Sequence, residues 1–279
     1  MTPTGVRRRV LVLAYYFPPL GLSGVQRIAR FVKYLPDHGW DPVVVTPEPG
    51  GYFAFDPELL SDLEDRGIPI HRTRSLDPTR AFTPGAEVSL PGEQRRRRLS
   101  SLSQWLFVPD NKVGWMPFAN TKAAELLGGG DFSAILSTAP PYSSHVAAGR
   151  LARRFRLPLV LDYRDDWLDN PRHEYPTWFH RRLHAGLEKR AAQRASALVT
   201  INDVIAKRLR ERLKADVTVI PQGFDPDDYR PSEDRGDDGP AERQDDAAAT
   251  PEHPPPDQIA FIYTGVFYDR QSPESFLRG

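Results

Sequence analysis

Three short stretches of this chain combine reactive side chains with a position from which they could act. The densest is Asp162-Tyr163-Arg164-Asp165-Asp166-Trp167, which directly follows the apolar residues Leu159 to Leu161. Carboxylates held at the end of a strand can orient a hydroxyl or act as a general base, and an adjacent guanidinium keeps them ionised or binds phosphate. Arg164, Asp165 and Asp166 are therefore the candidate catalytic residues; the competing reading is a structural Asp–Arg network that closes the edge of a sheet. Successive strand residues face opposite sides, so only one of the two adjacent carboxylates need point into a cleft. The second stretch is Thr138-Ala139-Pro140-Pro141-Tyr142-Ser143-Ser144-His145, at the end of another apolar run. Its Tyr142, Ser143 and His145 either line a pocket or, for His145, serve as a hydrogen-bonded helix residue. The third is Gly21-Leu22-Ser23-Gly24, a small-residue loop entering a helix. The free N–H groups and positive dipole end of such a helix can hold a phosphate or a carboxylate. The alternative is a strand–helix turn that merely needs glycine, since the full G-x-G-x-x-G pattern is absent. No H-E-x-x-H, G-x-S-x-G, Walker A or paired-cysteine motif occurs, which leaves metalloprotease, serine hydrolase, P-loop and zinc chemistry without support.

Those residues need elements that bring them to one edge. Val10 to Tyr16 is a short run rich in β-branched and aromatic residues, as expected of a strand covered on both faces, and Pro18-Pro19 stops it. Ser23 is placed as an N-cap, Val25, Ile28, Ala29, Val32 and Leu35 follow at helical spacing, and Gly39 closes that helix. Pro42 to Thr46 and Ile68 to Thr73 read as strands flanking a short helix, Asp56 to Arg66, opened by Asp-Pro. The alternation resumes with a helix over Phe118 to Leu127 ended by Gly128 to Gly130, a strand over Phe132 to Ser137, and a helix opened by Pro140-Pro141 and running through Arg156. A strand over Leu159 to Tyr163, a long basic helix over Tyr175 to Ser196, and a strand over Ala197 to Ile201 come next. A helix over Asn202 to Leu213, capped by its asparagine, and a strand over Val217 to Ile220 complete the series. About seven strands separated by helices predict an α/β fold with a doubly wound parallel sheet. Ligands of such sheets sit beyond the carboxyl ends of the strands, so the loops after Tyr16, Ser137, Tyr163 and Ile220 should face one crevice.

Composition narrows the class further. Lys+Arg and Asp+Glu both number 37 in the 279 residues, so no global field points to nucleic acid or an anionic surface. The absence of cysteine excludes disulfides, thiolate metal sites and a cysteine nucleophile, and is compatible with a reducing compartment. Arg7 to Arg9 followed by Val10 to Phe17 imitates a signal peptide, but the run ends at two prolines without a small-residue cleavage site. No run approaches the ~18 apolar residues that a membrane-spanning helix needs. Four consecutive arginines, Arg95 to Arg98, are either a solvated charge run or an attachment to acidic head groups. Trp105, Trp115 and Phe118 read as core or groove-wall aromatics. Residues 231–257 contain nine acidic residues against two arginines and no Val, Ile, Leu, Met, Phe, Trp or Tyr, which predicts a disordered linker between a first domain, 1–230, and a restart at 258–279.

Taken in order, YFPPLGLSGVQRIARFVKYLPDHGWDPVVVT, PDNKVGW, STAPPYSSH, DYRDDW, TINDVIAKRL and VIPQGFDPDDY resemble the N-terminal domain of family 4-type glycosyltransferases of the GT-B fold, and IAFIYTGVFYDRQSPESFL resembles the start of their C-terminal domain. The resemblance implies two Rossmann-like domains facing a cleft, the second incomplete here, with the acceptor on the first and most of a nucleotide-sugar on the second. By that carry-over Gly21, Ser23 and Gly24 approach the donor diphosphate, with Gly265 and Arg270 on the other side. Arg164, Asp165 and Asp166 fall where the family often places a catalytic or acceptor-orienting residue, Tyr142, Ser143 and His145 contact the acceptor, and Gln222, Gly223 and Asp225 form the hinge. This chain departs from the pattern in having Ser23-Gly24 in place of paired glycines and the Arg-Asp-Asp group in place of a histidine.

The implied reaction is retaining, metal-independent transfer of a sugar from a nucleotide-diphosphate donor to a polysaccharide, glycan or lipid-linked acceptor. No cofactor or metal is expected, the nucleotide-sugar being a co-substrate, and no nucleic-acid partner. A C-terminal domain is expected to be required for activity, and cytoplasmic placement, with peripheral contact at the inner face of a membrane, is the expected location. The rivals are a nucleotide-sugar epimerase of the same fold and a noncatalytic half that pairs with a separate C-terminal domain.

Overall fold

The computed structural model describes residues 7–51, 54–78, 103–170, 173, 175–229, 274 and 278. The chain divides into two compact units, Met1–Gly223 and Phe224–Gly279. The first contains the strands β1 (Arg8–Leu13), β2 (Trp40–Pro47), β3 (Ile70–Thr73), β4 (Phe132–Ala139), β5 (Leu159–Tyr163), β6 (Ala197–Thr200) and β7 (Val217–Val219). Its helices are α1 (Ser23–Tyr34), α2 (Pro57–Asp65), α3 (Met116–Gly129), α4 (Ser143–Phe155), α5 (Trp178–Ala192) and α6 (Asp203–Leu213). In the second unit a turn of 3₁₀ helix, Pro226–Tyr229, and helical positions at Glu274 and Arg278 are described. The expected linker, 231–257, and the expected restart at 258–279, with Gly265 and Arg270, fall almost wholly outside the described residues, as does Arg95 to Arg98.

The seven strands form one sheet in the order β3-β2-β1-β4-β5-β6-β7, every pair parallel. This is the doubly wound α/β arrangement expected from the sequence. The order reverses between β1 and β4, where Leu13 lies opposite Ser137, so a crevice opens there at the carboxyl edge. The sheet is covered on both faces, which is why its central strands are continuous apolar runs. Along β1, Leu11 and Leu13 pack into one core with α3, α4 and α6, while Val10 and Val12 pack into another with α1 and α2.

Most element boundaries follow local chemistry. Asp56 accepts a hydrogen bond from the Leu59 amide at 3.1 Å and Asn202 from the Ile205 amide at 2.9 Å, so α2 and α6 start at the caps expected of them. Thr177 caps α5 in the same way, through the His180 amide, which shortens the expected helix at its start. Gly39 takes φ 79°, the left-handed conformation that ends the 3₁₀ turn Leu35–His38 after α1. Ser23 is not an N-cap: it is the first residue of α1, the cap position is Leu22 at φ 76°, and no side chain caps the helix. Trp115 is fully buried, as expected of a core aromatic, and its indole donates to Thr73 at 2.9 Å. Trp105 is 53% exposed and lies on the surface rather than in the core. Among the described residues no helix is long and apolar enough to cross a membrane.

Candidate functional site

The crevice is built where the β1–α1 loop, the end of β5 and the segment after β7 meet. Asp162, on the face of β5 that looks toward α1, is completely buried and forms an ion pair with Arg27 of α1 at 2.8 Å. The Thr138 hydroxyl of β4 donates to its other oxygen at 2.9 Å. Arg27 also donates to the carbonyls of Ile220 at 2.8 Å and Pro221 at 3.2 Å, and its guanidinium stacks over the Phe31 ring at 4.6 Å. One guanidinium thus joins a helix, β5 and the exit from β7, and its need for acceptors is met by a carboxylate and two carbonyls.

Arg164 makes a second clamp beside it. Its guanidinium donates to the carbonyls of Gly24 and Pro140 and, at 3.3 Å, of Ala139. It therefore pins the first turn of α1 to the exit of β4. A Cβ placed on Gly24 would meet the Arg164 guanidinium, which is the physical requirement for glycine at that position. Gly21 is held differently: its amide donates to the Ala54 carbonyl at 2.8 Å. Gln222 donates to the Ser23 carbonyl at 3.1 Å, drawing the segment after β7 onto the same loop. The loops after β1, β5 and β7 therefore converge as expected. With no capping side chain, the Ser23 and Gly24 amides at the start of α1 are available to an anion.

The three adjacent polar residues after β5 have separate surroundings. Arg164 is buried in the clamp, and Asp165 is exposed at the rim. Asp166 is buried on the other side, where it accepts from Arg212 of α6 at 2.6 Å and from the amides of Leu168 and Asp169. Arg212 also holds Glu188 at 2.8 Å and Asp169 at 2.9 Å. Burial pushes the Glu188 carboxyl up against the opposing pull of Arg212, while the hydrogen bond from Arg181 holds Asp169 below the usual carboxylate range. Asp166 thus lies in an Asp–Arg network with Arg212, Glu188 and Asp169.

Tyr142, Ser143 and His145 are brought together but are buried rather than open to a pocket. Tyr142 stacks on Trp167 with 4.6 Å between ring centroids and donates to the Asp166 carbonyl at 2.9 Å. The Ser143 amide donates to Asp110 at 2.9 Å, so the carboxylate of a distant loop caps α4. His145 shares a hydrogen bond of 2.9 Å with Ser137 through Nδ1, lies against Tyr163, and is pushed down to about 3 by burial, so its ring is neutral at physiological pH. Together these three secure the exit of β4 and the start of α4 within the core. Gln222 and Gly223 are exposed, and in the second unit Asp225 accepts from the Asp227 amide at 3.0 Å. Among the described residues no cluster of His, Asp and Glu is placed to hold a metal ion.

Sequence reasoning placed Asp162 in the right cluster but missed its partner. The available signal was spacing: Arg27 falls one turn after Gly24 and one before Phe31, on the stripe of α1 that faces the strand ends. Asp110, distant in the chain from the helix it caps, left no local signal.

A family model described as a glycosyl transferase 4-like domain matches residues 24–223. A search of curated protein sequences found no match. Among solved structures, HepE of Anabaena in complex with UDP and glucose is 18% identical with a TM-score of 0.46, the alignment covering 81% of this chain and 47% of that one. Sucrose-phosphate synthase from Thermosynechococcus elongatus is 14% identical with a TM-score of 0.46, covering 82% and 51% respectively. The Streptomyces sp. SF2575 glycosyltransferase SsfS6 is 14% identical with a TM-score of 0.38, covering 70% and 50%. The chain spans about half the length of these solved structures.

Proposed function

The chain belongs to the glycosyl transferase 4-like family, and from that premise we propose that it forms the acceptor-side half of a retaining, metal-independent glycosyltransferase. In this reading a second Rossmann-like domain supplies most of the contacts to a nucleotide-diphosphate sugar, and the acceptor is a polysaccharide, glycan or lipid-linked saccharide. The observation that carries the reading is an uncapped helix N-terminus at the sheet's switch point, clamped by Arg164, the residue that precedes the exposed carboxylate of Asp165 in the chain. A diphosphate gains from the free amides and dipole of α1, and a sugar hydroxyl gains from the carboxylate of Asp165.

In the proposed mechanism the Ser23 and Gly24 amides take part of the charge that develops on the departing nucleoside diphosphate. Asp165 orients or deprotonates the attacking hydroxyl. Arg164 acts through the loop that it positions. Tyr142, Ser143 and His145 hold the exit of β4 from within the core, and Gln222, Gly223 and Asp225 are assigned to the hinge. Alignment of donor and acceptor in a closed, dry cleft is worth up to ~7–11 kcal/mol, which is why the opposite domain is expected to be needed.

The test is to incubate a protein comprising this chain and a following donor-binding domain with nucleotide-diphosphate sugars, first without acceptor and then with one. Transfer that appears only with acceptor supports the proposal. Clean conversion of the donor's sugar without acceptor would establish the epimerase alternative instead.

A further inference from the structure

The outward faces of α4 and α5 form a basic surface edged by bare aromatic side chains. On α5, Phe179, Arg182, Leu183, Gly186 and Arg190 recur at helical spacing and all are exposed. The one acid of that helix, Glu188, is buried against Arg212, and α4 contains none. Between the two helices lies a cleft of about 410 Å³ lined by Arg150, Arg153, Arg190 and Arg194. None of these four guanidiniums has an ion-pair partner among the described residues. In a chain of net charge zero this is a marked local excess.

Cations near helix C-termini complement the dipole, which accounts for Arg153 and Arg190 but not for what lies at the other end of α5. There Trp178 is 76% and Phe179 57% exposed, and Leu106 of the neighbouring 103–106 turn is 68% exposed. Trp105 of that turn meets His180 edge-on at 5.2 Å between ring centroids, so the two apolar groups form one patch. Single exposed hydrophobics are ordinary, whereas large ones gathered at one end of a helix whose other end borders a cleft of arginines are not. A nucleic acid would pair with the arginines and leave Leu106 and Leu183 without partners. An anionic bilayer answers both features, because head-group phosphates match guanidiniums and the interface takes indole, phenyl and leucine side chains.

We propose that the α4–α5 face docks the domain on a membrane rich in anionic phospholipid, with phosphates seated in the arginine cleft and Trp178 and Phe179 entering the interface. The surface is independent of the glycosyl-transfer reading. The test is co-sedimentation of the full chain with vesicles of phosphatidylcholine alone or mixed with phosphatidylglycerol. Binding is expected only with phosphatidylglycerol, and it should weaken as salt is raised. It should fall ~10-fold or more in Arg150→Glu/Arg190→Glu, and comparably in Trp178→Ser/Phe179→Ser. Arg150→Gln/Arg190→Gln is the fallback should charge reversal disturb folding, with circular dichroism confirming the fold of each variant. Equal binding to both kinds of vesicle, or unchanged binding in either pair of variants, would overturn the proposal. So would displacement by duplex DNA or inorganic phosphate with no effect of the aromatic pair, which would leave a general polyanion patch.

Discussion

Arg27 and Asp162 are an ion pair removed from water, and their value lies in what breaks when one is lost. Each alone would be an uncompensated buried charge, so Arg27→Ala should destabilise the domain by about 3–5 kcal/mol, read as a lower urea midpoint at unchanged slope. A loss under 1 kcal/mol would mean that solvent reaches the pair. Arg164 differs from its neighbour Asp165 in the same way that a clamp differs from a reagent. Arg164→Ala should lower the melting temperature because three backbone carbonyls lose a shared donor, whereas Asp165→Asn should leave it unchanged because that side chain is exposed. The buried histidines set a pH dependence whose sign is determined. His145 is pushed down to about 3 and His184 to about 4, both by burial, against an ordinary value of 6.5. Below pH 6.5 the unfolded chain takes up protons that the folded chain refuses, so stability is full above that value and declines as pH falls toward 4. His145→Gln should flatten this slope by up to about 1.4 kcal/mol per pH unit, checked by unfolding curves at several pH values; an unchanged slope would show that the ring titrates normally.

At the scale of elements the contrast is between helices that carry their own caps, α2, α5 and α6, and α1, which does not. Asn202→Ala should cost about 1 kcal/mol of stability, since the Ile205 amide loses its acceptor. Gly24→Ala should cost more than the propensity difference suggests, because the new methyl meets the Arg164 guanidinium and the clamp on α1 must open; thermal unfolding of the single variant and of Gly24→Ala/Arg164→Ala separates the two contributions. The same contrast explains what could be read from sequence. β5 was legible to the residue, as were the caps of α2 and α6, because an apolar run or an Asn or Asp before a helix acts within a few positions. The Ser23 cap was a misreading, since a serine before an apolar stripe looks the same whether it caps the helix or begins it. The burial of Tyr142 and His145 was invisible, because Trp167, which stacks on the first and lies near the second, arrives from a loop more than twenty residues later. Asp166 could not be told from Asp165 because its partner Arg212 sits on α6, and no spacing rule links the two.

At the scale of the whole molecule, a zero net charge conceals two surfaces of different character: a crevice with an uncapped helix start and an exposed carboxylate, and a basic, aromatic-edged face on α4 and α5. The family match spans the sheet from the start of α1 to Gly223, so it takes in every strand except β1. Sugar transfer at the carboxyl edge of this sheet is the central claim, and Asp165 is the side chain there whose loss should affect chemistry without affecting folding. The direct measurement is the rate of labelled-sugar transfer from a nucleotide-diphosphate donor in the presence of EDTA, by a protein joining this chain to a donor-binding domain, for the native sequence and for Asp165→Asn. The result expected is acceptor-dependent transfer that survives EDTA and falls ~100-fold or more in the variant at unchanged melting temperature. Transfer that is undiminished in a folded Asp165→Asn protein, or that is abolished by EDTA, would contradict it.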